Sequence, residues 1–161
     1  MKRRSRAAAN EDTIEALLLT NYDQYYRLAL SYVRNENDAA DIVQNSAYKA
    51  IKNSAGLKQP EFAATWLYRI VLNEIFTFCG QKKTEALDAI PQEPQAMDIY
   101  EDIDLQRALD ALPAEDKMIV ELKYFEEMKL EEIASLMQEN INTIKSRLYR
   151  SMKKLRLKLD A

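Results

Sequence analysis

The stretch KLEEIASLMQENINTIKSRLYRSMKKLRLKL, residues 129–159, decides how this chain is read. It holds two helical periods, about Leu130 to Met137 and Asn142 to Leu159, separated by only four residues. Ile133, Ala134 and Met137 form the inner face of the first helix; Ile141, Ile144, Leu148, Leu155 and Leu159 form that of the second. Two amphipathic helices across so short a break predict a helix-turn-helix. At about 100° per residue, Thr143, Arg147, Arg150 and Lys154 fall on a different stripe from Ile144 and Leu148 and turn toward solvent. Gln138 and Glu139 stand where many such turns place a glycine and an apolar residue. Either Gln138 adopts a left-handed conformation at some cost, or the turn differs slightly.

Charge points the same way. The chain has a net charge of −3, but residues 139–161 carry seven basic and two acidic side chains, against four and eight in residues 105–138. The acidic average therefore hides a local positive field of the kind a nucleic-acid backbone attracts. A recognition helix offers its N-terminal residues to base edges, so Asn142, Thr143, Ser146 and Arg147 are the candidates for base reading. Lys145, Arg150, Lys153 and Lys154 suit phosphates, which gives affinity and salt dependence without sequence information. Basic residues near a helix end also complement its dipole. That explains the charges but not the helix-turn-helix spacing before them.

Toward the N-terminus, Leu105, Ala108, Leu109 and Leu112 keep helical spacing, and Pro113 opens a helix through Ile119, Val120, Leu122 and Phe125. Residues 81–104 hold Pro91, Pro94, seven acidic and two basic side chains and no sustained period, and read as a tether. Before it, an amphipathic helix is expected from Ile14 to Val33. A second, capped by Asn37 or Asp38, runs through Ile42, Val43, Ala47, Ala50 and Ile51 until residues 53–60 break it. A third spans about Glu61 to Phe78 on Phe62, Trp66, Leu67, Ile70, Val71, Ile75 and Phe78. With 2 Gly and 4 Pro in 161 residues, the chain has little material for hairpins. The expected fold is all-α: a basic arm over residues 1–10, a three-helix domain over 11–80, a flexible acidic linker over 81–104 and a helix-turn-helix domain over 105–161.

Enzymatic chemistry is not expected. The chain has no histidine, and its single cysteine, Cys79, has no internal disulfide partner. No metal, cofactor or small-molecule substrate is implied. No apolar run approaches the roughly 20 residues of a membrane span, and MKRRSR is followed by Ala-Ala-Ala-Asn-Glu-Asp rather than an apolar signal core, so a cytoplasmic protein is expected. The four positive charges of residues 1–10 read as a solvated tail.

The sequence resembles the extracytoplasmic-function sigma factors of the sigma-70 family over both helical domains. Leu112-Pro113, Glu131-Glu-Ile-Ala134 and Thr143-Ile-Lys-Ser-Arg-Leu-Tyr-Arg150 look like region 4, which in the family reads the minus-35 promoter element. Asp41-Ile-Val-Gln44 and Trp66-Leu-Tyr-Arg-Ile70 with Asn73 look like region 2. The resemblance implies promoter recognition and opening within RNA polymerase, in a stress response, with core polymerase, promoter DNA and an anti-sigma factor as partners. Asp41 and Gln44 would meet the polymerase. The Asn53–Glu61 loop and the Trp-bearing helix would separate strands at the minus-10 element and hold an extruded base, with Asn53, Ser54, Lys58, Tyr68, Arg69 and Asn73 as contacts. Trp66, whose neighbours at helical spacing are apolar, reads as core. After Asn73, Glu74-Ile-Phe-Thr-Phe-Cys-Gly80 replaces a stretch that is usually more polar and rich in arginine, and Lys82 and Lys83 remain.

Two other readings stand beside this one. A self-sufficient helix-turn-helix regulator would shift DNA unaided, usually as a dimer on a palindrome. A helical adaptor without DNA contact would be indifferent to Arg147→Ala or Arg150→Ala.

Overall fold

The computed structural model describes residues 6–88 and 103–159, and every regular element in them is helical. They fall into two compact units, one within Met1–Met97 and one within Asp98–Ala161. Among the described residues no helix is long and apolar enough to cross a membrane.

In the first unit α1 (Arg6–Val33), α2 (Glu36–Lys52) and α3 (Ala63–Asp88) pack on one another. Their core is Ile14, Tyr25, Leu28, Ala29, Ala39, Ile42, Val43, Ala50, Leu67, Val71 and Ile75. Tyr25 sits edge-on to Tyr68, with centroids 5.2 Å apart. The α1–α2 corner is made by Arg34, at φ 51°, whose N–H donates to the Leu30 carbonyl. The cap of α2 is Asn35, not Asn37 or Asp38: its Oδ1 accepts from the Asp38 N–H at 3.0 Å. Asn35 has the extended backbone a cap requires, and the helix is already under way at Glu36.

Two boundaries move outward. The first helix begins at Arg6 rather than near Ile14, so residues 6–10 are helix and not tail. The third begins after a 3-10 turn at Pro60–Phe62 and continues to Asp88, so the first eight residues of the expected linker are helical. Polar residues at 81–88 carry no apolar period, but Gln, Lys, Glu, Ala and Leu are good helix formers and let α3 run on. Residues 1–5 of the arm and 89–102 of the linker, with Pro91 and Pro94, lie outside the described residues. The stretch after Asn73 is apolar because it packs: Ile75 is fully buried, Phe76 meets Tyr32 edge-on, and Glu74 pairs with Lys49 of α2.

The second unit contains α4 (Ile103–Asp110), α5 (Ala114–Tyr124), α6 (Leu130–Met137) and α7 (Ile141–Leu159). Pro113 caps α5, where its missing N–H costs nothing. Ala108, Leu109, Leu112, Val120 and Leu155 form a buried cluster, flanked by Leu105, Leu148 and Met152. A polar group is buried with them: Lys117 Nζ lies 3.0 Å from Asp110 Oδ1 and 3.9 Å from Glu121 Oε1. Leu159, expected on the inner face of α7, is exposed; beyond Leu155 the helix has outrun the elements that cover it.

Candidate nucleic-acid interface

The turn between α6 and α7 is three residues long and is closed by backbone alone. Gln138 takes the left-handed conformation, φ 56° and ψ 43°, its N–H donating to the Ser135 carbonyl at 3.3 Å while Glu139 N–H donates to Ala134 at 3.0 Å. This paired arrangement satisfies the last carbonyls of α6, a task that usually falls to glycine. A side chain there costs about 1 kcal/mol. Gln138→Gly is therefore expected to stabilise the second unit by up to about 0.5 kcal/mol, after allowance for the freer unfolded chain, as read by thermal melting. A variant melting lower than the parent would contradict the account. Asn140 then starts α7: its Oδ1 accepts from the Asn142 N–H at 2.8 Å.

Ile144, Ser151 and Leu155 hold the inner face of α7. The face turned away from them carries Asn142, Lys145, Ser146, Tyr149, Arg150 and Lys153, all exposed, with exposed Lys154 at its edge. This corrects the stripe drawn from the sequence. Thr143 and Arg147 are half-buried on the flank, and Arg147 Nη1 donates to Glu115 Oε2 of α5 at 3.0 Å. The sequence could not show this pair, because its partners are 32 residues apart and meet only when α5 packs on α7. A guanidinium has five donors, so the pair with Glu115 orients Arg147 without exhausting it. Tyr149, 73% exposed, joins the candidates, because its spacing from Asn142 and Ser146 places it on this face.

Residues 102–155 match Sigma-70, region 4, and residues 17–84 match Sigma-70 region 2. The RNA polymerase sigma factor SigV of Bacillus subtilis is 42% identical over 157 residues, covering 92% of this chain and 95% of its own. The chain belongs to the sigma-70 family. It is a sigma factor of the extracytoplasmic-function group. The group's SigE from Mycolicibacterium smegmatis is 32% identical over 88% of this chain and 60% of its own length. Among solved structures, the sigma factor RpoE of Bartonella quintana, determined with the anti-sigma factor NepR, has a TM-score of 0.73 at 23% identity. It is covered over 96% of its length, by 91% of this chain. CnrH, solved with the cytosolic domain of CnrY, has a TM-score of 0.70 at 20% identity, over 96% of this chain and 94% of its own. These two likenesses are of fold.

Within the sigma factor's region 2, Asp41 and Gln44 are exposed on α2, one turn apart. Tyr48, one turn further on and 66% exposed, extends the same face; its ring lies 5.8 Å from Lys52 Nζ. The 41–44–48 spacing is visible in the sequence, although a tyrosine at helical spacing more often marks a core position. In the Asn53–Glu61 loop, Asn53 and Lys58 are exposed. Ser54 and Tyr68 are not available as side-chain contacts: Ser54 lies under the loop, and Tyr68 packs on Tyr25. Arg69 is half-buried, as is Trp66, and Asn73 is exposed. Phe62, counted with the core of the third helix, is instead 58% exposed at the end of the loop, because the 3-10 turn at Pro60 rotates it off the helical stripe. An exposed aromatic beside a candidate strand-binding loop is a natural stacking surface.

Proposed function

We propose that this sigma factor acts only in complex with core RNA polymerase, with region 4 on minus-35 duplex and region 2 divided between polymerase and minus-10 strand. In this reading Asn142 and Ser146, at the start of α7, face base edges; Thr143 and Arg147 read from the flank. Lys145, Arg150, Lys153 and Lys154 neutralise phosphates, and Tyr149 lies against the backbone between them. Asp41 and Gln44, with Tyr48, dock on polymerase. The Asn53–Glu61 loop and Asn73 take the unpaired minus-10 strand, with Phe62 as a stacking platform. The chain supplies no catalysis of its own and works in the cytoplasm, in a stress response, until an anti-sigma protein covers its DNA-facing surfaces. RpoE, which shares its fold, was solved with the anti-sigma factor NepR, and CnrH with the cytosolic domain of CnrY.

The observation that carries the reading is the exposed face of α7. Six polar, basic or aromatic side chains stand opposite its buried stripe, directly after a helix-turn-helix corner closed by backbone hydrogen bonds. The test is a gel shift on a promoter fragment. Core polymerase with the sigma factor should shift the fragment at concentrations where neither does alone. A shift by the chain alone, as a dimer on a palindrome, would favour the self-sufficient regulator instead.

A further inference from the structure

The loop assigned above to the minus-10 strand has little structure of its own. Within it the Gly56 N–H donates to Asn53 at 2.9 Å and the Leu57 N–H to Ser54 at 3.1 Å. At its start Asn53 donates to the Lys49 carbonyl of α2 through its N–H and its Nδ2, and the rest of the loop is held from the start of α1. Asn10 is 1% exposed, and its Nδ2 donates at 2.9 Å to the carbonyls of both Ser54 and Leu57. One turn earlier, the Arg6 guanidinium donates to the Leu57 carbonyl at 3.3 Å and to the Lys58 carbonyl. The bonds span 44 to 52 residues of sequence and join the first helical turns to the carbonyls of Ser54, Leu57 and Lys58.

We propose that Asn10, assisted by Arg6, is a positioning residue that holds the Asn53–Lys58 loop in the conformation that receives the extruded minus-10 base. The proposal rests on the reading of that loop as the base-holding element. Its chemistry is specific. A carboxamide nitrogen carries two N–H donors, and here both go to carbonyls of one loop; a carboxylate or an isosteric leucine supplies neither. A pocket for an unpaired base offsets the cost of unstacking only if its walls are in place beforehand. The basic N-terminal segment is thereby given a role that charge alone did not suggest: its first described turns are structural support for a site some fifty residues away in sequence.

The test uses the full chain in holoenzyme, with a promoter recovered by run-off transcription. The probes are its single-stranded non-template minus-10 oligonucleotide, the same strand made abasic at each position in turn, and the minus-35 duplex. Hydrogen exchange at Gly56 and Leu57 reads the loop directly. In Asn10→Leu, exchange at these two amides should quicken about tenfold, and the preference for the intact strand over the critical abasic strand should fall about tenfold. Affinity for minus-35 duplex and for core polymerase should not change. If Asn10→Leu does not fold, Arg6→Gln at an exposed position decides, with an expected loss of base preference of about threefold. Unchanged exchange overturns the proposal, and so does faster exchange with intact base preference. If the parent holoenzyme shows no abasic penalty at any position, the reading of the loop itself fails, whatever Asn10 does.

Discussion

Lys117→Met is expected to cost the second unit about 3 kcal/mol, enough to bring a domain of this size close to unfolding at 37 °C. The side chain is 5% exposed, and its ammonium lies between Asp110, at 28%, and Glu121, at 3%. Methionine matches the stem of lysine, so the loss is not one of packing. It arises because Asp110 and the buried Glu121 carboxyl lose the cation that lies beside both. An exposed ion pair would contribute little, and the distinction gives a sharper test. Lys117→Met combined with Glu121→Leu should recover most of the loss, leaving a coupling of about 2 kcal/mol or more in a double-mutant cycle. Urea titration monitored on the second unit measures it. A single variant costing under about 1 kcal/mol would mean that Glu121 is satisfied without Lys117.

The second large effect concerns DNA. Changing Arg150, Lys153 and Lys154 together to alanine removes three exposed cations from α7 and touches none of its buried residues. Holoenzyme affinity for minus-35 duplex should fall by about three orders of magnitude near physiological salt, since each charge-assisted contact to phosphate contributes about 1.5 kcal/mol. The more specific signature is the salt dependence. If all three side chains meet phosphates, the slope of log K against log salt should flatten by about 3, with base preference within the element retained. Asn142→Ala should do the reverse, relaxing base preference with little change in slope. A triple variant with an unchanged slope would show that these residues only solvate the end of a helix.

The elements of this chain were legible where an apolar period ran against a short break. The α6 and α7 bounds and the Pro113 start of α5 follow from local pattern, and the structure has them within a residue or so. What the sequence hid is of two kinds. Helix ends without an apolar period, at Arg6–Thr13 and at 81–88, depend on propensity and on partners far along the chain. Polar pairs such as Asn10 with the 54–57 carbonyls, Arg147 with Glu115 and Lys117 with Asp110 form only after tertiary packing. Burial of Tyr68 and exposure of Phe62 have a similar origin, since the 3-10 turn at Pro60–Phe62 sets where the period of α3 begins. The recognition face of α7 lay between these cases. Its charges were visible, but its centre moved from Arg147 toward Ser146 and Tyr149 once Glu115 and the buried stripe were placed.

Run-off transcription with purified core polymerase on fragmented chromosomal DNA of the source bacterium, with and without this chain, tests the account most directly. It predicts discrete new transcripts that need both components and vanish when Asp41 and Gln44 are replaced together. Transcript patterns identical with and without the chain would contradict it.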